Sequence, residues 1–183
     1  CDNIDCELLG KYYAKHECQL AKYRSPNSLD FRSILFPGLI SADTVPPGGT
    51  SDVVPEMLHH AAQKKPYACF VRPDTQISFM AMPDAIKALL LLESAPSEAL
   101  TQLSYNVTSF SPTAEEIRKF TLAAFPQAEI SYEVHESRQA IVDSWPIDVN
   151  DTPARKDWNW KPDYDMQRSF EEYLIPAIRA RYQ

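Results

Sequence analysis

The chain has 183 residues, of which 44% are hydrophobic and 11% aromatic, enough for a packed core and too much for overall disorder. A net charge of −7, with its lysines and arginines scattered, excludes nucleic acid and anionic membrane surfaces as partners. The longest apolar run, Ala88 to Leu92, is far too short to span a bilayer.

Leu8, Leu9, Tyr12, Tyr13 and Leu20 recur at helical spacing and predict a helix from about Asp5 to Tyr23. A turn centred on Ser25-Pro26 follows over Arg24 to Asn27. Phe31 to Phe36 reads as a short apolar strand ended by Pro37-Gly38, as expected of a buried strand in a parallel sheet. After the Pro/Gly-rich loop Ser41 to Gly49, Ser51 and Asp52 offer caps for a helix to about Gln63, with Pro55 tolerated in its first turn.

Tyr67 to Val71 and Ile77 to Ala81 predict strands around a turn at Pro73-Asp74. Pro83 opens a helix to about Glu93, with Ile86, Leu89 and Leu90 expected on its inward face. A strand is expected at Leu103 to Val107. Thr113-Ala114-Glu115-Glu116 has the form of a capping box opening a helix to about Phe125. Glu129 to Glu133 alternates as a strand, and Asp151 to Trp158 is a short helix closed by Asn159, which tolerates the left-handed conformation. Asp165 caps the last helix, with Phe170, Tyr173, Leu174 and Ile178 inward and Pro176 interrupting it.

Cys1, Cys6, Cys18 and Cys69 show no C-x-x-C spacing and are expected to stay reduced in an intracellular chain. His16-Glu17-Cys18 has no second ligand pair, so no zinc site is expected there. Glu56, His59 and His60 have a spacing found in carboxylate-bridged metal helices, but without further inward carboxylates they read as surface residues. Asp157 to Asp165, with its tryptophans, reads as a packed helix end.

Pro46-Pro47-Gly48-Gly49-Thr50-Ser51-Asp52 combines glycines, two hydroxyls and a carboxylate at a helix N-terminus. It suits a small zwitterion, with Asp52 for the ammonium, and equally an ordinary loop ending in a helix cap. In Arg138 to Pro146, Trp145 either closes over a ligand or fills the core.

Five segments occur here in one order: Phe36-Pro37-Gly38-Leu39-Ile40-Ser41, the Gly48 to Asp52 loop, Met82-Pro83-Asp84-Ala85-Ile86, Ser144-Trp145-Pro146 and Ala154-Arg155-Lys156-Asp157-Trp158-Asn159-Trp160. The series closely resembles the L-threonine 3-dehydrogenases of the extended short-chain dehydrogenase/reductase type, from Glu7 to the last helix. The resemblance implies an α/β chain: the C-terminal part of an incomplete Rossmann-type parallel sheet, plus the small mixed α/β substrate-binding domain. Residues 1–45 would be the remnant of the NAD-binding domain, and 46–183 the substrate-binding region interleaved with C-terminal Rossmann elements.

The family reaction is the NAD-dependent oxidation of L-threonine to 2-amino-3-ketobutyrate. Carried over by position, the resemblance implies Thr50, Ser51 and Asp52 in threonine binding, Ser51 standing where the family has threonine. Trp145 would contact substrate, and Leu39 and Ile40 would lie against the nicotinamide. No metal is implied. Aligned on Glu7-Leu8-Leu9-Gly10, the family's catalytic lysine falls on Asn3 and its tyrosine before Cys1, as do its Ser/Thr and Gly-rich loop.

The expectation is a truncated or partial L-threonine 3-dehydrogenase, inactive and unable to bind NAD as this chain alone. The alternative is a non-catalytic small-molecule-binding or subunit-interaction module of the same descent. Its expected partners are L-threonine and a second subunit, as a homo-oligomer or with a full-length homologue. The resemblance implies an intracellular place, mitochondrial in a eukaryote, and Cys1 to Asp5 shows no targeting segment.

Overall fold

Parallel strands cannot be joined by a tight turn, so each strand here finds its partner far along the chain. The computed structural model describes residues 3–16 and 30–183. The described helix α1 is Asn3–His16; the expected continuation to Tyr23, the Ser25-Pro26 turn, Cys1 and Cys18 lie outside the described residues. Strands β1 (Ser33–Leu35), β2 (Gly38–Ile40), β3 (Tyr67–Cys69), β4 (Phe79–Ala81), β5 (Ser104–Asn106) and β6 (Ile130–Tyr132) are interspersed with helices α2 (Val53–Ala62), α3 (Met82–Ser94) and α4 (Ala114–Ala124), and helices α5 (Glu136–Asp143), α6 (Thr152–Trp158), α7 (Met166–Arg168) and α8 (Ile175–Tyr182) follow the last strand.

All three pairings are parallel: β1 with β5, β2 with β4, and β3 with β6. The α/β class and the parallel Rossmann-type pairing read from the sequence are therefore present. One strand was not expected. Gly38 does not end the first strand's run but opens β2, its amide donating to the Ser78 carbonyl at 3.0 Å. A side chain at Gly38 would meet the Phe79 ring at 2.8 Å, so glycine lets the two strands close.

The chain forms two compact units, each drawn from three segments. The first takes the described parts of Cys1–Leu35, with Ile86–Val107 and Asn150–Lys161. Within it, Arg32 donates to the carbonyls of Leu92 at 2.5 Å and Ala95 at 2.6 Å, satisfying groups left open at the end of α3. The Asp157 carboxylate accepts from the Tyr105 hydroxyl at 2.6 Å and the Thr101 amide at 3.0 Å, fixing α6 to β5. Asn159 closes α6 at φ 56°, and Trp158 and Trp160 are buried, so this stretch is the packed helix end expected of it.

The faces of α3 and α1 differ from expectation. Ile86, Leu89 and Leu90 are exposed, while Ala85, Ala88 and Leu92 are buried. α1 likewise exposes Leu8, Leu9, Tyr12 and Tyr13 and buries Gly10 and Ala14. Gly10 is required there, since a Cβ would lie 2.0 Å from the Phe31 ring. In both helices the small residues are buried and most of the larger apolar ones face outward.

The second unit comprises Phe36–Ala85, Thr108–Val149 and Pro162–Gln183. Its core joins Ile40, Val54, Met57, Leu58, Phe79, Ile117, Phe170, Leu174 and Ile178 among others. Thr113 and Glu116 form the expected capping box at the start of α4, and Asp165 accepts from the Arg168 amide at 2.9 Å. Ahead of Pro176 the chain winds one π-helical turn, Ser169–Leu174, before α8. His59 is not a surface residue. It is buried, with Nδ1 2.8 Å from the Tyr182 hydroxyl, because α8 covers that face of α2.

Candidate functional site

Every residue singled out from the sequence for threonine falls in the second unit. Asp52 stands at the N-cap of α2, yet its carboxylate does not cap the helix. Its φ and ψ of −82° and 8° lie outside the extended region that turns a cap side chain toward the next amides. Oδ2 instead accepts from the Gly48 amide at 3.1 Å and the Gly49 amide at 2.6 Å. Gly48 has φ 97°, a conformation open to glycine at no steric cost. The carboxylate thus closes a ring over the diglycine turn. Among the described residues its Oδ1 and the Thr50 and Ser51 hydroxyls have no partner, and Thr50, Ser51 and Asp52 are half-buried.

The carbonyl side of the same turn is held by a residue not singled out from the sequence. Arg138 of α5 donates to the Gly49 carbonyl at 2.7 Å and to that of Gly48 at 3.4 Å. Its guanidinium lies 3.2 Å from the Phe70 ring centroid and 3.7 Å from Glu56 Oε1. Glu56 Oε2 accepts from the Tyr67 hydroxyl at 2.9 Å. Burial, and then the charge of Glu56, push the Tyr67 phenol far above its ordinary range, so it remains a donor. The only sequence sign of this chain of contacts was Arg138 opening the tryptophan segment.

α5 is anchored independently. Buried Gln139 accepts from the Arg72 amide at 2.8 Å and donates to Asp143 at 2.7 Å, while Arg72 grips Asp143 with two hydrogen bonds of 3.0 and 2.9 Å. This pairing holds the Asp143 carboxyl below its usual range. Trp145 follows at the helix end, its amide donating to the Val142 carbonyl at 3.0 Å. Its side chain is 37% exposed, so it is not core filler. Leu39, at 38%, is exposed on β2, whereas Ile40 is buried in the core at 1%. No three His, Cys, Asp or Glu side chains converge as a metal site among the described residues.

No family model matches the chain. Individual proteins do. The mitochondrial L-threonine 3-dehydrogenase of Bos taurus is 39% identical over 163 residues, 89% of this chain and 41% of that protein. The crystal structure of L-threonine dehydrogenase from Phytophthora infestans superposes with a TM-score of 0.86 at 35% identity, covering 97% of this chain and 54% of that one. UDP-glucose 4-epimerase from Thermotoga maritima, at 12% identity, shares the fold alone, with a TM-score of 0.76 over 98% of this chain and 52% of that one. The chain spans about half the length of the curated relatives it matches. It is a homologue of the L-threonine 3-dehydrogenases, matching their C-terminal portion, and belongs with them on the epimerase/dehydratase-like fold of the short-chain dehydrogenase/reductase type.

Proposed function

We propose that this chain is part of an L-threonine 3-dehydrogenase and supplies its threonine site, the family reaction being NAD-dependent oxidation to 2-amino-3-ketobutyrate. The observation that carries the reading is the braced loop. It presents one carboxylate oxygen and two hydroxyls that have no partner among the described residues, all on half-buried residues, the complement of a small zwitterion. Asp52 Oδ1 takes the substrate ammonium, the Thr50 and Ser51 hydroxyls donate to its carboxylate, and Trp145 covers it. Because the Gly48 and Gly49 amides already serve Asp52, they orient the carboxylate rather than bind substrate.

The described residues do not fit the pyrophosphate of a dinucleotide. Gly10 is inside α1 against Phe31, Gly38 lies in β2, and the Gly48 and Gly49 amides are committed to Asp52. We therefore assign no step on NAD to these residues. Exposed Leu39 would offer one wall to a nicotinamide, and buried Ile40 would support that wall from behind. As a chain by itself we read it as binding threonine without oxidising it. The non-catalytic module is the second reading, favoured by the containment of the whole threonine loop in one compact unit.

Calorimetry on the purified chain tests this directly. L-threonine should bind saturably with a Kd of about 1 mM, near the upper end of common KM values, and NAD should give no heat of binding. A folded chain without saturable threonine binding would overturn the assignment; tight NAD binding would overturn the division of labour.

A further inference from the structure

We propose that Arg138 is a positioning residue for the threonine loop, one guanidinium tying the loop to the helix that leads to Trp145. The inference rests on the threonine reading for its ligand, though its geometry stands without it. A diglycine turn has no side chains to hold it and the largest backbone freedom of any dipeptide, so its shape must be imposed from outside. Asp52 imposes it on the amides at 2.6 and 3.1 Å. Arg138 imposes it on the carbonyls at 2.7 and 3.4 Å. These restraints act on all three peptide groups of the turn, and so set the direction of the Asp52 oxygen that has no partner among the described residues.

Arg138 is itself immobilised on two sides. The Phe70 ring lies under its guanidinium at 3.2 Å, and Glu56, held by the Tyr67 hydroxyl, faces it at 3.7 Å. Phe70 is buried and follows β3, and Glu56 sits in the first turn of α2, so the guanidinium is braced by elements of the core. Lysine reproduces only part of this. One Arg138 nitrogen, Nη2, makes both carbonyl contacts and faces Glu56, which an ammonium could imitate, but an ammonium has no planar face to stack on the Phe70 ring. The helix carrying Arg138 also delivers Trp145, so loop and tryptophan are set by a common part.

The experiment combines hydrogen exchange of the peptide spanning the loop with calorimetric titration of L-threonine, on the wild-type chain, Arg138→Ala and Arg138→Lys. Arg138→Ala should speed exchange in the loop about tenfold, the size expected from losing one charged hydrogen bond, while the α4 and α8 core peptides keep their protection. Threonine affinity should fall by a similar factor, and Arg138→Lys should recover only part of either effect. Unchanged loop exchange in a folded Arg138→Ala chain overturns the proposal. Full recovery of exchange and affinity by lysine also overturns it, because charge alone would then suffice. If Arg138→Ala loosens the loop but the wild-type chain binds no threonine, the positioning role stands and the threonine reading falls.

Discussion

Replacing Asp52 by alanine separates the two duties that the structure gives its carboxylate. The substitution deletes the acceptor of the Gly48 and Gly49 amides while leaving α2 uncapped as before, since no side-chain cap exists to lose. A hydrogen bond to a charged group contributes about 1.5–3 kcal/mol when desolvated, and exposure cuts that by half or more, so the half-buried pair is worth about 2 kcal/mol. For a chain of this size that corresponds to a melting temperature lower by about 4–8 °C. Asp52→Asn keeps one neutral acceptor and should lose about half as much stability. Its effect on ligand binding should be larger, because the amide cannot pair with an ammonium. Urea unfolding and threonine calorimetry on the three proteins give both quantities. The reasoning fails if Asp52→Ala unfolds at the parent's midpoint, or if Asp52→Asn binds threonine as the parent does.

Three further outcomes are expected. Trp145→Ala should lower the unfolding midpoint by less than loss of a fully buried tryptophan would, since the residue is 37% exposed, while weakening threonine binding about tenfold; equal affinity would remove Trp145 from the site. His59 is buried neutral, with its pKa lowered first by burial and then by the charge of Arg181. The folded state therefore disfavours its proton, so His59's contribution is complete above the unfolded value of about 6.5 and declines as pH falls below it. Comparing urea stabilities at pH 7.5 and 5.5 should show a smaller loss in His59→Gln than in the parent, and identical losses would refute the assignment. Finally, the exposed Ile86, Leu89 and Leu90 on α3 and the exposed apolar residues of α1 predict a chain that self-associates. Sedimentation should show less association for Ile86→Lys with Leu90→Lys; a parent that is monomeric at tens of micromolar contradicts the prediction.

Features governed by chemistry a few residues long were legible in the sequence. The Thr113 capping box, the left-handed Asn159, the Asp165 cap and the break before Pro176 all involve partners within one or two helical turns, so local spacing contains the whole interaction. The ordered motifs carried the family resemblance, because each constrains residue type and position together. Helix faces were another matter. Ala85, Ala88 and Leu92 compete with Ile86, Leu89 and Leu90 for the inside of α3, and hydrophobicity favours the larger set. In the folded chain the smaller set is the buried one.

The site divides along the same line. The loop's composition by itself suits a small polar ligand, since glycines, hydroxyls and a carboxylate are gathered at a helix start. Its working geometry depends on Arg138, 89 positions from Gly49 along the chain, as the burial of His59 depends on Tyr182, 123 positions away. Periodicity and capping rules act within a few residues and carry no information about such partners. Sequence alone therefore determined most of the elements and the chemistry available to the loop, while tertiary packing added β2 beside β4 and decided which face of each helix is buried and which guanidinium holds the loop in shape.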